Sequence, residues 1–337
     1  MNSTDLARTT TERIPRSAVD DGIVWDNHAC MPLRPDDLSF LPQLQRVRSA
    51  GIDVISLNVA YGKQDSRSAL TMLATFRAWV QQRRDEYALV ATVADVESAR
   101  ASGRLGICFD IEGMDALDGE LGNIRAFYDL GVRWMLATYN HPNIAGGGCL
   151  AEDAGLTEFG RSAVAEMNCV GMVVCGTHCG YRTARELIDH SADPVVFSHS
   201  NPRAVWDHPR NLPDDLMRAC AARGGVIGIN GFGPFLGAND ASTSTYVAHI
   251  EYALDLLGDD HVGIALDYVF DRDEFDAVVG ADPVTFPHHL YCQGAQMVEP
   301  WRLPEIACTL AARGHSPATL RKIFGGNHLR IARQVWC

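Results

Sequence analysis

Two short apolar runs that each stop at a histidine limit this fold most: Met172-Val-Val-Cys-Gly-Thr-His178 and Pro194-Val-Val-Phe-Ser-His199. Apolar or small residues ending in one polar side chain are how a buried parallel strand reads when its last residue faces an open mouth. Tyr181 to His190, between the two runs, has helical composition. The unit therefore reads as a strand–helix–strand crossover that puts both imidazoles on one rim. Either histidine alone reads just as well as a core imidazole satisfied by hydrogen bonds. A functional reading gains only if other strands also end in ligand-type residues.

Eight segments read as strands: Ile23–His28, Asp53–Val59, Leu105–Glu112, Arg133–Asn140, Met172–His178, Pro194–Ser200, Gly224–Asn230 and His261–Asp267. Helical patterns separate nearly all of them. Ser68–Arg84 carries Leu73, Phe76 and Val80 at helical spacing, Thr157–Cys169 does the same with Phe159, Val164 and Met167, and Pro213–Ala222 opens with proline and acids. Such alternation predicts an α/β chain, a (β/α)8 TIM-type barrel with long loops at its C-terminal rim and closing C-terminal helices over Leu303–Trp336. An open doubly wound sheet ranks lower, because no strand leads into a dinucleotide or P-loop glycine motif. The Gly146-Gly147-Gly148 run precedes no clear helix and reads as a loop. Tyr268 to Trp301, rich in acidic and aromatic residues, reads as an irregular stretch that covers a pocket or forms an interface. The expected organisation is a polar tail over residues 1–20 and a single barrel domain over 21–337.

Composition narrows the partners. A net charge of −13 argues against nucleic acid and against an anionic membrane surface, since both leave a basic footprint. The first 20 residues hold no apolar export core, and no apolar run approaches a membrane span. The 10 cysteines show no framework spacing, and Cys108 and Cys175 sit inside apolar strands. A cytoplasmic protein with reduced thiols is expected.

In a barrel the reactive groups gather at the C-terminal ends of strands. Those ends read, in order, His28, Asn58, Glu112, Tyr139, His178, His199, Asn230 and Asp267. Three His, one Glu and one Asp among them make a metal-site composition suited to Zn²⁺ or a similar first-row ion.

These residues lie in motifs that resemble the membrane (renal) dipeptidase family, peptidase family M19, a branch of the amidohydrolase-like metal-dependent barrels. Asp26-Asn-His28-Ala-Cys-Met-Pro32 is similar to the family's D-G-H-N-D-L-P opening, and Ile111-Glu112-Gly113 to its V-E-G segment. Gly155 to Gly160, Glu166-Met-Asn168, Phe197-Ser-His-Ser200, Arg210 to Asp215, His261-Val-Gly263 and Gly325-Gly-Asn327 match further blocks. The resemblance implies a zinc-dependent hydrolase that cleaves dipeptides or similar small carboxylate-bearing amides with a metal-bound hydroxide. It includes, as a leading candidate, a dipeptide with a D-residue at its C-terminal side. It implies two zinc ions, with Glu112 bridging, His178 and His199 completing one site, and His28 with position 30 completing the other. It gives Arg210 the substrate carboxylate and Asp267 the proton passed to the leaving amine, and it suggests a homodimer. Read by themselves, Arg210 also fits a surface ion pair and Asp267 a helix cap.

Two positions depart from the family, both at the chemistry. Cys30 stands where the family has the Asp of H-x-D, so a thiolate would replace a carboxylate and favour zinc. Without ligation by Cys30, one metal is expected. Tyr139 stands where better-known members carry His; its hydroxyl can donate to an oxyanion or merely line the pocket, and His141 is a second candidate for that task. The rivals are hydrolysis of a non-dipeptide amide or lactam, such as an N-acyl amino acid, and a metal-poor barrel that binds a small molecule without cleaving it.

Overall fold

The computed structural model describes residues 22–337, so the polar segment 1–20 lies outside the described residues. Strands β1 (Trp25–Cys30), β2 (Val54–Tyr61), β3 (Tyr87–Leu89), β4 (Leu105–Glu112), β5 (Val132–Leu136), β6 (Val173–Cys175), β7 (Ile227–Ile229), β8 (Val262–Ile264) and β9 (Tyr268–Val269) all pair in parallel. The bonded order is β6-β5-β4-β2-β1-β9, with β7 beside β8. Two single bridges join these sheets, Cys175 to Val196 and Phe197 to Ile227. The chain runs straight from β8 into β9, which lies against the end of β1 at Ala29 and Cys30. The ring is therefore closed, with eight staves and helices outside: a (β/α)8 barrel.

Three expectations need adjustment. Only Val196 and Phe197 of Pro194–Ser200 pair as a strand, because Pro194 lacks an N–H and the Ser198 N–H turns to Cys175 Sγ at 3.3 Å. The unexpected β3 lies along the first residues of β4, below the point where β5 takes over at Phe109. Tyr268–Trp301 is not wholly irregular. It holds β9 and a helix, Arg272–Ala281, whose N-cap Asp271 accepts the Glu274 N–H at 3.1 Å, with Asp273 and Glu274 in the first turn.

Strand alternation sorts the side chains. Ile55, Leu57, Ile107, Phe109, Ile111, Ile227, Ile229 and Ile264 join the large cluster between strands and helices. Their neighbours face inward. Trp25, Val54, Cys108, Trp134, Val173 and Val226 fill the lower interior, where they meet Ile331, Ala332 and Val335 of the C-terminal helix Asn327–Val335. One layer up the inward positions turn polar, with Ser56, Asn58, Asp110, Glu112 and Ser198 all buried. The apolar lower layers plug the barrel, so chemistry is confined to the C-terminal mouth.

Candidate metal centre and substrate pocket

Glu112 ends β4 at the centre of the mouth, and its two oxygens face opposite ways. Oε2 lies 3.3 Å from His178 Nε2 and 3.4 Å from His199 Nε2, while those two nitrogens are 3.2 Å apart. Oε1 lies 3.4 Å from His28 Nε2, which in turn is 3.5 Å from Cys30 Sγ. Zinc bonds of about 2.0–2.1 Å to nitrogen and oxygen and about 2.3 Å to sulfur give tetrahedral ligand spacings of about 3.3–3.5 Å. The three spacings at the His178–His199 pole and the two spacings to His28 Nε2 at the other match that size. The donor set therefore fits a first-row cation at each pole, with Cys30 on the His28 side. Asp267 Oδ1 also reaches this second group, 3.4 Å from His28 Nε2 and 3.7 Å from Cys30 Sγ.

Local backbone geometry aims these groups. The pairing of β1 with β2 shifts register between Asp26 and Ala29, a bulge that turns His28 into the mouth. Asn140, His178 and Asp267 take φ values of 57°, 66° and 56°, the left-handed region that non-glycine residues seldom occupy. Three such residues at one rim mark a site held in place by its surroundings. The glycine run expected as a loop packs behind it: a Cβ on Gly148 would sit 2.3 Å from the Asn140 backbone carbonyl, so only glycine allows that approach.

A further set of side chains lies behind the histidine rings. Asn140 Nδ2 donates to the Thr285 carbonyl at 3.1 Å, which leaves its Oδ1 facing His178 Nδ1 at 2.7 Å. His178 therefore carries its proton on Nδ1 and presents the Nε2 lone pair inward. Asp110 Oδ1 lies 3.3 Å from His28 Nδ1 and is itself held by Ser56, whose hydroxyl donates to Oδ2 at 2.5 Å. Ser198 Oγ lies 2.9 Å from His199 Nδ1, and Asn58 Nδ2 donates to Glu112 Oε1 at 3.0 Å. Of these supports the sequence reading singled out only Asn58, as a strand end. Asp110 shares the inward phase of β4 with Glu112 two residues on, and that polar pair in an apolar strand was the available signal.

The electrostatics follow from burial and crowding. Burial pulls His178 down to about 3, helped by the Arg210 charge, and His199 to about 4, helped by His28, so both are neutral donors at pH 7. For His28 burial is outweighed by Glu112 and Asp110, which hold it well above its usual range. Burial of Glu112 is likewise outweighed by His28 and the other histidines, which keep its carboxyl well below the usual range. Burial pushes the Cys30 thiol up to about 12. A bound cation reverses such a shift, since a coordinating thiol is deprotonated outright.

The remaining expected residues surround this centre. Arg210 is buried, its Nη2 is 2.9 Å from His178 Nε2, its Nε has no hydrogen-bond partner, and no carboxylate pairs with it among the described residues. The surface ion pair is thus not its role. Asp267 is no helix cap; its Oδ2 accepts from Asn230 Nδ2 at 2.8 Å. Tyr139 lines the cavity with its ring stacked on His178, centroids 4.2 Å apart. His141 does not join them: its Nε2 is taken by the Val284 carbonyl at 2.8 Å. The cavity measures about 240 Å³ and is walled by Phe232, Phe235, Phe275, Phe286 and Tyr291, aromatics that the sequence reading did not single out individually. Three of those five come from the Tyr268–Trp301 stretch, which therefore covers the pocket.

Comparison with known proteins adds the family. The membrane dipeptidase (peptidase family M19) profile matches residues 37–336. An uncharacterized protein in the pqqA 5' region of Klebsiella pneumoniae is 29% identical over 276 residues, 78% of this chain and 94% of its own length. Dipeptidase verJ of Clonostachys rogersoniana is 26% identical over 333 residues, 98% of this chain and 76% of its own. The crystal structure of an amidohydrolase from Pseudomonas aeruginosa superposes with a TM-score of 0.85 at 27% identity, covering 96% of this chain and 99% of that one. With a match across nearly the whole barrel, the chain belongs to the membrane dipeptidase family, peptidase family M19, and is a hydrolase of that metal-dependent dipeptidase type.

Proposed function

We propose that this chain hydrolyses dipeptides with two zinc ions, one held by His28, Cys30 and Glu112 and the other by Glu112, His178 and His199. The observation that carries this reading is the pair of zinc-sized ligand groups meeting at the two oxygens of Glu112. Zinc ions there would supply a lowered pKa for water and a polarised amide carbonyl. The thiolate of Cys30, a soft donor, supports zinc over harder ions.

The other residues divide the remaining work. Arg210 offers a planar fork to the substrate carboxylate in a dry site, where an ion pair is strong. Asp271 and Glu274 also line the cavity and share one cation, Arg34, at 2.9 and 2.8 Å. That part of the wall stays negative and suits the free amino group that a dipeptide has and an N-acyl amino acid lacks. Burial would raise Asp267, but His199 and His28 outweigh it and hold the carboxyl down to about 2. It is ionised at pH 7 and able to take a proton at Oδ1 and pass it to the leaving amine. Burial, reinforced by the Glu112 charge, keeps the Tyr139 hydroxyl protonated, a donor for the oxyanion. The 10 free cysteines support the cytoplasm as the working compartment, and no helix among the described residues is long and apolar enough to cross a membrane.

A turnover panel tests the reading. Dipeptides should be hydrolysed, activity should vanish on chelation and return with zinc, and N-acyl amino acids should be poor substrates. Turnover of N-acyl amino acids alone, or of no amide at all, would contradict it.

A further inference from the structure

Resting on the dipeptidase reading, we infer that the pocket selects dipeptides whose amino-side residue carries a bulky apolar side chain. The direction of the substrate comes from the order of groups across the mouth. Arg210 stands beside His178 at 2.9 Å; His178 faces Glu112 Oε2; Glu112 Oε1 faces His28; and Cys30 Sγ is 3.5 Å beyond His28 Nε2. A substrate with its carboxylate on Arg210 and its scissile carbonyl over Glu112 then extends its amino-side residue toward Cys30.

At that end the wall is apolar. Met31 and Leu33 follow Cys30, Val269 pairs with it across the β1–β9 ladder, and Phe275 and Val278 descend from the helix Arg272–Ala281. Glu274, Phe275 and Val278 all line the cavity, so Glu274 is placed for the amino group while Phe275 and Val278, three apart on the helix, offer the side chain an apolar surface. The wall is pre-formed. Arg34 binds Asp271 and Glu274 at 2.9 and 2.8 Å, and the Phe275 ring meets Phe232 edge-on at 5.6 Å and Phe286 at 6.3 Å. Phe275 and Val278 are nevertheless only half-buried, which leaves apolar surface for a ligand to cover. The cavity of about 240 Å³ compares with about 150 Å³ for an apolar cavity that holds benzene, so a small dipeptide would leave this wall wetted.

The test is kcat/KM for Phe-Ala, Ala-Phe and Ala-Ala on the zinc-loaded protein. Phe-Ala should exceed both others by roughly 10-fold or more, the usual worth of filling an apolar subsite. Phe275→Ala should cut the Phe-Ala to Ala-Ala ratio by roughly 3- to 10-fold, the contribution of one aromatic contact. Val278→Phe, which fills the subsite from the helix surface, should lower the same ratio and serves if the first variant fails to fold. Ala-Ala or Ala-Phe turned over as well as Phe-Ala would overturn the inference and leave the dipeptidase reading standing. Absence of any dipeptide turnover would overturn both.

Discussion

Arg210 is the residue whose environment says most about substrate. A guanidinium at 3% exposure with no carboxylate partner among the described residues is costly unless a ligand supplies the anion. Arg210→Ala should lower kcat/KM for a dipeptide by roughly 10- to 150-fold, the range of one hydrogen bond to a charged group. The same substitution should cost far less with a C-terminally amidated substrate, and comparing the two in steady-state assays isolates the carboxylate contact. At this scale the candidate ligand types were readable from strand ends, because Glu112, His178, His199 and Asp267 each close a largely apolar run, while His28 follows the shorter Ile23-Val-Trp25 and the polar Asp26-Asn27. Cys30 was readable only as a departure from the family. What the structure adds is the 3.5 Å spacing to His28 Nε2, a distance no one-dimensional pattern contains.

Among the elements, the segment after β5 links the roof to the metal centre. Asn140 donates to Thr285 and to the Tyr291 hydroxyl, 3.2 Å away, and accepts from His178. Asn140→Ala releases both the His178 tautomer and the roof. Zinc affinity measured by competition with a chromophoric chelator should fall by roughly 10- to 100-fold, as for other partners of ligating histidines. An unchanged affinity would show that Arg210 and the stacking on Tyr139 suffice to orient His178. The strand–helix alternation was legible because each buried strand and each amphipathic helix has its own period. The roof was not: its aromatics come from two segments far apart in sequence, Phe232 and Phe235 on one side and Phe275 to Tyr291 on the other. The helix Arg272–Ala281 did leave a trace, the acid-rich start Asp271-Arg-Asp-Glu274, that composition alone made look like loop.

Taken whole, the barrel is stoppered below and reactive above. His328, on the C-terminal helix, helps seat the stopper: its Nε2 donates to the Ile264 carbonyl at 3.0 Å, and burial holds it down to about 4. The unfolded chain takes up that proton near pH 6.5, the folded one not until about pH 4, so stability is lost as pH falls through this window. Between pH 6.5 and 4.5 the metal-free wild type should lose about 2–3 kcal/mol more than His328→Gln, read from urea unfolding at each pH. Equal losses would mean that His328 is charged in the folded state.

The proposal that two metal sites meet at Glu112 is tested most directly by elemental analysis of chains purified without chelator. About two zinc ions per chain are expected by the ligand counts given above. His199→Ala and Cys30→Ala should each leave about one, from opposite poles, with the sulfur–zinc signal in X-ray absorption lost only in the Cys30 variant. A chain that carries no stoichiometric metal, or one whose zinc is indifferent to His199 and Cys30, would contradict the account.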